Sequence, residues 1–296
     1  MRYPRLRYTN RAGAQVASDV VILCFYLPCA HKRIAPAIMD VLASFREHAR
    51  PFQLDWYIDD HGYSHRLDGA GWDTIRQQVL GPEEGAMFRL SGGPERVGGT
   101  YVDFRGLPYP LPWPGRERDV SALFMRLPTE YLEMHGAARV HTLALELAEK
   151  LPLSSGYVAL SFCEIGPVDD GVHLVRTRYP GMHMTREGPP LDMDTKVDGV
   201  HWMNFLGQPI LGELGGVEGL RERLNLPGIS VQEMSGDRVL ITLGEQPETG
   251  DVEAGQTLPL HRALARLLEP YLYQSKRPLG RMTPEDMRRW ERRFLD

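Results

Sequence analysis

Three groups of polar side chains in this sequence have types and spacings that could support chemistry. In the first group, His61 and His65 lie four positions apart and directly follow Asp59 and Asp60. Imidazole and carboxylate groups are common metal ligands. However, the turn-forming stretch 62–64 (GYS) separates the histidines, and two ligands at this spacing need a helix to face the same ion. The pattern therefore favours a solvated polar loop over a metal site.

A second group combines three histidines with three aspartates further along the chain. Its members are His173, His183, His201, Asp192, Asp194 and Asp198. A metal-dependent hydrolase uses such residues, but these spacings match no ligand scheme with a defined geometry. A chance grouping is the favoured interpretation, and a hydrolase using the three histidines stays open as an alternative.

The third group is an acidic loop with the sequence GEQPETGDVEAG at 244–255. A calcium loop needs ordered alternate oxygen ligands and a closing acid, and Pro247 interrupts that order. An acidic edge that faces a protein partner is the alternative to a solvated loop. Together with two acidic pairs elsewhere, this loop gives the predicted partner-binding residues. They are Asp59, Asp60, Asp169, Asp170, Glu245, Glu248, Asp251 and Glu253.

Signatures of several enzyme classes are absent from the sequence. The chain has no GxxxxGK[ST] phosphate loop, no GxGxxG after a strand and no HExxH pair. It has no GxSxG nucleophile elbow and no CxxC zinc-binding pair either. The sequence therefore shows none of the motifs of these enzyme classes or of their cofactors.

Charge is distributed unevenly along the 296 residues. Residues 1–50 hold 8 Lys/Arg against 3 Asp/Glu, and residues 276–296 hold 7 against 4. The remaining 19 Lys/Arg and 32 Asp/Glu give residues 51–275 a net charge of −13. An acidic body is a poor ligand for nucleic acid but suits a basic protein partner, because complementary charge speeds encounter.

The cysteines and the first apolar run bear on the compartment. Cys24, Cys29 and Cys163 show no disulfide framework spacing, which indicates buried thiols in a reducing compartment. The apolar run Val20–Leu27 follows four arginines, but it begins after Asp19 and no small-residue cleavage site follows it. We therefore expect a β-strand there and a cytoplasmic protein. No apolar run is long enough for a membrane helix.

Strand–helix–strand patterns occur twice. The first comprises a strand at 19–27, a helix from Pro36 to about 50 and a strand at 53–58; the second comprises a strand at 120–127, a helix capped by Thr129 and a strand at 157–162. The prediction is an α/β (α+β) fold with two similar halves, 19–118 and 119–275, in one composite domain spanning 1–296. Mixed or antiparallel sheets are packed by helices, and a helical tail occupies 276–296.

Weaker patterns fill the rest of the chain. The stretch 59–118 is rich in Gly, Pro and charge, with short strands at 86–90 and 100–104 and an extended loop at 107–115, LPYPLPWPG. Segments 229–234 and 238–243 alternate around Ser-Gly-Asp, which predicts a hairpin. Residues 211–225 predict a helix interrupted at Gly215-Gly216, and 260–272 and 284–295 predict two more helices.

Three segments resemble a known family. They are MHG followed by HTLALELAEKLPLSSGYVALSF within 132–162, GVHWMNFLGQPILGELGG at 199–216, and LITLGEQPETGDVEAGQTLPLHRALARLLEP at 240–270. In this order they resemble the type VI secretion immunity family associated with VRR-type nuclease effectors. The resemblance implies a protein encoded beside a toxic effector, which it binds tightly and blocks.

A VRR-type nuclease cuts DNA with bound divalent metal, so the resemblance also implies a basic cleft on the partner. An acidic inhibitor surface would compete there for the charges that hold DNA. The expectation is an immunity protein that neutralises its effector by occluding the active site, and that is not an enzyme and uses no cofactor. A metal-dependent hydrolase and an adaptor that carries an effector without inhibiting it are the alternatives. The sequence leaves the oligomeric state open.

Overall fold

A computed structural model describes residues 4–59, 61–93, 97–164, 169–185, 188–276, 278–279 and 282–296, without the side chains of Asp169 and Asp170. Within these residues the strands are β1 Tyr8–Thr9, β2 Gln15–Leu27, β3 Trp56–Ile58, β4 Ser64–Arg66, β5 Ala86–Ser91, β6 Tyr101–Gly106, β7 Ser121–Pro128, β8 Ser155–Glu164, β9 His183–Met184, β10 Met203–Leu206, β11 Ile229–Met234 and β12 Arg238–Leu243. The helices are α1 His31–His48, α2 Gly69–Leu80, α3 Thr129–His135, α4 Ala137–Glu149, α5 Asp169–Arg178, α6 Ile210–Glu213, α7 Gly216–Arg223, α8 Pro259–Leu268 and α9 Pro284–Glu291.

The strands form one continuous sheet in the order β11-β12-β10-β8-β2-β7-β6-β5-β3-β4. Neighbours along this path pair antiparallel, while β9 adds to β8 in parallel and β1 adds to the start of β2. The predicted α+β class is confirmed. The first strands of the two predicted halves, β2 and β7, lie side by side at the centre of the sheet.

Strand β2 is buried on both faces, and every residue from Ala17 to Leu27 is inaccessible to solvent. Because side chains alternate along a strand, Val21, Leu23 and Phe25 face one side of the sheet. There they pack with the apolar faces of helices including α1 and α4. The intervening side chains face the opposite side and pack with Tyr157 and Met193.

Three helix predictions need correction. The helix predicted after a Thr129 cap is divided at Gly136 (φ 78°) into α3 and α4, and Thr129 is the first residue of α3, where its hydroxyl donates to Asp19 instead of capping the helix. Helix α1 begins at His31, before the predicted start at Pro36, because the first turn is anchored by the His31 N–H, which donates to the carbonyl of Leu107 (2.9 Å). Helix α2 lies in the stretch predicted to contain only loops and short strands. Its cap is Asp68, whose carboxylate accepts the N–H of Gly71, and Gly71 is needed because a Cβ there would lie 2.6 Å from a backbone oxygen.

Other local predictions are confirmed. Strands β11 and β12 form the predicted hairpin, with Asp237 in the left-handed region (φ 52°) at its turn. The predicted interruption at Gly215-Gly216 separates α6 from α7, and both glycines have positive φ. Among the described residues, no helix is both long and apolar enough to cross a bilayer.

Two arginines of the basic N-terminal segment form ion pairs within the fold. Arg5 and Arg7 each form an ion pair with the buried carboxylate of Asp19, at 3.4 Å, and they also bind Glu130. Asp19 further accepts hydrogen bonds from the Leu6 N–H and the Thr129 hydroxyl. These arginines therefore hold the N-terminal segment against β2 and α3, and only part of their charge is available to a partner.

His261 of α8 is a buried polar side chain that forms no hydrogen bond among the described residues. It is 2% exposed and packs beside Phe294 at 5.3 Å between ring centroids. Neither ring nitrogen forms a hydrogen bond within the described part of the chain. Burial lowers the pKa of His261 to about 3, so the ring is neutral in the folded protein. Leaving such a group without a partner costs about 1–3 kcal/mol.

Replacing His261 by leucine is therefore expected to stabilise the protein and to weaken its acid sensitivity. The pKa of His261 in the folded protein is below its value in the unfolded chain, so the unfolded chain takes up the proton first as pH falls. The free energy of unfolding is therefore unaffected by this group above pH 6.5 and is reduced progressively as pH falls towards 3. Between pH 7 and pH 5 the variant should lose about 2 kcal/mol less unfolding free energy than the wild type. Urea unfolding at both pH values measures this. His61→Leu, at an exposed site, is the control, and an acid loss equal to the wild type's in His261→Leu would contradict the prediction.

Candidate functional site

The hairpin between β3 and β4 holds the first predicted group. The Asp59 carboxylate accepts the N–H groups of His61 and Tyr63 and a hydrogen bond from Nε2 of His65 at 2.8 Å. These bonds, above all the one from His65, lower the pKa of Asp59. His65 also stacks on Tyr57. Asp59 therefore shapes its own turn, and Asp60 lies outside the described residues.

The second predicted group does not assemble as one site. His173 is exposed on α5. Asp192 binds the Tyr273 hydroxyl (2.7 Å) and Lys276 (2.8 Å), and Asp194 lies 3.8 Å from Arg118. The remaining members, His183, His201 and Asp198, do come together below α9, as lining residues of one small cavity.

Tyr157 of β8 organises the residues around that cavity. Its ring stacks on His201 at 4.2 Å and contacts His183 at 5.3 Å between centroids. His201 Nε2 donates to the carbonyl of Asp198 (2.6 Å), and the Asp198 carboxylate accepts the Tyr26 hydroxyl (2.6 Å). Burial, with the nearby His183 and a neighbouring arginine, keeps the pKa of His201 well below its usual value. His201 is therefore a neutral, internally bonded ring.

The side chains around this cavity stack on and hydrogen-bond with one another, as packed interior residues do. Within the described ranges, no three His, Cys, Asp or Glu side chains converge to hold a metal ion. The cavity encloses about 30 Å³, room for one or two water molecules. Arg293 closes it from the C-terminal segment by donating from Nε to the carbonyl of Pro180 (2.7 Å), and burial lowers the pKa of Arg293 to about 9. The hydrolase alternative thus has no assembled ligand set among these residues.

The acidic loop 244–257 leads from β12 to α8 and is held by one arginine. Arg178, at the end of α5, donates from Nε and Nη2 to the two carboxylate oxygens of Asp251, at 2.9 and 2.7 Å. The Val252 N–H donates to the Arg178 carbonyl (2.9 Å), and the Gly181 N–H donates to the Thr249 carbonyl (2.8 Å). Four hydrogen bonds therefore fix this loop against the end of α5 and the residues that follow it.

The carboxylates of this loop have different roles. The Asp251 carboxylate accepts hydrogen bonds from Arg178 and from the N–H groups of Glu253 and Ala254, so it is bound within the protein. Glu253 contacts Arg178 but leaves 68% of its side chain exposed. Glu245 and Glu248 are exposed and form no ion pair within the described residues. Asp251 thus positions the loop, and its three glutamates point outwards.

Asp169 and Asp170 begin α5, the helix whose last turn holds the acidic loop. A ten-residue helix is about 15 Å long, so these two positions lie about that far from the turn that holds the acidic loop. We use "α5 acidic surface" for the exposed carboxylates of the loop that this helix holds. They are Glu245, Glu248 and Glu253.

Asp59 belongs to a different surface. Its hairpin follows β3, and seven strand-to-strand steps separate β3 from β12 in the sheet, roughly 34 Å at the usual spacing. The registers also place the β3 end and the β12 end at opposite ends of the strands. Asp59 therefore lies apart from Glu245, Glu248, Asp251 and Glu253, the other predicted residues whose side chains the structure describes.

Sequence reasoning missed two features of the surface. The role of Arg178 has no local signal, because its partner Asp251 is 73 residues away. The stretch 107–115 is predicted to be an extended loop, and the structure adds that it exposes 51% of Trp113 and 36% of Tyr109. Its composition of proline and aromatic residues was the available signal.

Comparisons with known proteins agree with this architecture. The family described as type VI immunity for VRR-NUC, TsiV, matches residues 37–294. No curated protein sequence matches the chain. A solved structure, the Pseudomonas aeruginosa T6SS protein PA0821, is similar with a TM-score of 0.79 and 18% sequence identity, covering 98% of this chain and 87% of that one. At this identity the likeness shows a shared fold. The match over most of the sequence shows that the chain belongs to the TsiV family of type VI immunity proteins for VRR-NUC effectors.

Proposed function

We propose that this immunity protein neutralises its cognate VRR-NUC effector by binding, and that the α5 acidic surface covers the cleft in which that nuclease holds DNA. The protein needs no catalysis of its own for this task. The observation that carries the proposal is the fixed loop 244–257, which presents Glu245, Glu248 and Glu253 to solvent from one rigid position.

Electrostatics favour this mode of inhibition. A protein that holds DNA neutralises phosphates with Lys and Arg, so its cleft is basic. Carboxylates placed in that cleft occupy the same cations and repel the phosphate backbone. The net charge of −13 over residues 51–275 extends the attraction beyond direct contact and raises the rate of encounter.

Rigidity of the loop adds to affinity. A flexible acidic loop would lose conformational entropy on binding, and that loss would reduce the free energy of association. The Arg178–Asp251 contact removes much of this freedom before the partner arrives. A pre-shaped acidic surface is therefore expected to dissociate slowly as well as to associate quickly.

The target and the cysteines support a cytoplasmic site of action. An effector that cuts DNA acts where DNA is, and its inhibitor has to be present there. Cys24, Cys29 and Cys163 are buried free thiols, as expected for a reducing compartment.

Reversing two charges of the α5 acidic surface should slow association with the effector. Glu245→Lys/Glu248→Lys removes two outward carboxylates and adds two cations, so the association rate should fall about tenfold at low salt and depend less on ionic strength. Binding kinetics against the purified effector at several salt concentrations measure this, with DNA cleavage as the second readout.

The matched control is Asp73→Lys/Glu84→Lys, which makes the same charge change at exposed positions near the opposite edge of the sheet. Equal slowing by both double variants would show that only net charge matters. A wild-type protein that binds the effector yet leaves its nuclease activity intact would identify an adaptor and reject the inhibitor proposal.

Releasing the loop should weaken the complex without unfolding the protein. Arg178→Ala removes the two hydrogen bonds to Asp251 and the contact with Glu253. Amide hydrogen exchange at 244–257 should become faster, and effector dissociation should accelerate about tenfold. Arg221→Ala, which breaks a surface pair with Glu218, is the control. Unchanged exchange at 244–257 in Arg178→Ala would show that this contact does not hold the loop.

A further inference from the structure

We propose that the outer edge of β11 accepts an extended segment of the same effector as a further strand of the sheet, and that this segment carries Lys or Arg side chains. This inference rests on the proposed function, because it adds a second contact to the same complex. Strand β11 ends the sheet, and within the part of the chain that the structure describes it pairs with β12 alone.

Two hydrogen bonds at the start of β11 show which of its backbone groups face outwards. In an antiparallel pair, every second residue directs both its N–H and its C=O to the neighbouring strand, and the residues between direct theirs to the other side. The Gly244 N–H donates to the Gly228 carbonyl (2.7 Å), so residue 228 faces β12. The Ile229 N–H donates to the Leu226 carbonyl (3.0 Å), so residue 229 faces away from β12.

Val231 and Glu233 follow Ile229 at intervals of two residues, so each directs an N–H and a C=O away from β12. Ser230 and Gln232, which lie between them, bond to β12. The outward groups of Val231 and Glu233 have no partner among the residues described. Such groups meet water in the free protein, and a row of them is a template for an added strand.

The outer edge of β11 is accessible to a partner. Ser230, Gln232 and Glu233 are exposed. Helix α7 packs on one face of the hairpin, where Leu220 shares an apolar cluster with Val239 of β12, so it covers a face and leaves the edge open. The six residues of β11 extend about 20 Å, enough for an added strand to form several main-chain hydrogen bonds.

Charge along this edge identifies the chemistry of the partner. The stretch 225–237 contains two acids, Glu233 and Asp237, both exposed, and it contains no Lys or Arg. Arg238, the next residue, is 7% exposed and donates to the carbonyl of Ala148 (2.8 Å). Helix α7 carries two Glu and two Arg, so its own charges cancel. The edge is therefore negative and attracts a strand that carries Lys or Arg.

The open edge is continuous with the α5 acidic surface. Leu243 lies opposite Ile229 in the hairpin, and Gly244, which bonds to Gly228, leads directly to Glu245. The first carboxylate of the acidic surface therefore lies at the start of the open edge. One basic partner can thus contact Glu245 and the backbone of β11 together.

The same charges disfavour a second copy of this chain as the added strand. Two β11 edges that pair antiparallel around a twofold axis would place the Glu233 end of each strand beside the Ile229 end of the other. Glu233 and Asp237 of one copy would then approach Glu245 of the other at both ends of the contact. Like charges there oppose association, whereas Lys or Arg on an effector strand would pair with them.

Amide hydrogen exchange tests the added strand directly. In the free protein the N–H groups of Val231 and Glu233 should exchange much faster than those of Ser230 and Gln232, which bond to β12. Binding of the purified effector should slow exchange at Val231 and Glu233 by more than about tenfold, because a paired strand protects both groups. Exchange at Ser64 in β4, the opposite edge of the sheet, should not change.

Glu233→Pro should weaken the complex. Proline removes the outward N–H and adds a ring at the edge, while the bonds to β12 are kept because this N–H takes no part in them. The dissociation rate from the effector should rise about tenfold or more. Glu233→Gln, which removes only the charge, should slow association and change the dissociation rate by less than about threefold.

Ser64→Pro is the matched control. The Asp59 N–H donates to the Tyr63 carbonyl (3.0 Å), so the N–H of the next residue, Ser64, points away from β3 at the opposite edge of the sheet. This variant should dissociate at the wild-type rate. Thermal unfolding verifies that both proline variants are folded, and the exchange measurement on the wild-type complex decides if Glu233→Pro is not.

The inference and the proposed function fail in different ways. If wild type inhibits the nuclease but its Val231 and Glu233 amides exchange equally fast free and bound, the inference is overturned while the proposed function stands. If these amides are protected in the free protein at high concentration and exchange faster on dilution, the edge pairs with a second copy and the assignment to the effector is wrong. If wild type neither binds nor inhibits, the proposed function fails and the inference with it.

Discussion

Strand β2 at the centre of the sheet has to be buried on both faces, and the rest of the chain is arranged to cover it. Its residues from Val20 to Leu27 are apolar on both faces, so the sheet cannot be half exposed as many antiparallel sheets are. Helices including α1 and α4 cover one face. The other face is covered by irregular segments, among them the stretch that carries Leu191 and Met193. Burial of this strand explains why so much of the chain without regular structure is nevertheless well anchored.

Covering a sheet with irregular backbone requires partners for its polar groups, because a buried donor or acceptor without one is costly. The residues below α9 supply them. Asp198 and His201 lie in the covering segment and bond to Tyr26 and to each other, while Arg293 donates to the Pro180 carbonyl. Asp198 and His201, two members of the group that suggests metal chemistry in the sequence, therefore attach the covering segment to the sheet, and Arg293 attaches the C-terminal segment.

Local patterns in the sequence predicted elements whose causes are local. The run at β2, the turn around Asp237 and the break at Gly215-Gly216 each depend on neighbouring residues, and the structure has them where they were expected. Helix α2 was missed because its start, GAG, has poor helical propensity and depends on the Asp68 cap and on close packing at Gly71. The site was less predictable, because contacts between residues far apart in the chain decide which carboxylates are hydrogen-bonded within the fold and which face solvent.

The α5 acidic surface, which we propose binds the effector, is rigid because of contacts made at its base, where Arg178 binds Asp251. Its outward carboxylates act over distance and so affect how often the partners meet, whereas the fixed shape of the loop affects how long they stay together. The outward side chains themselves carry little of the folding energy. Changes at Glu245 or Glu248 can therefore alter which partner is bound, and how tightly, while the sheet that supports them remains intact.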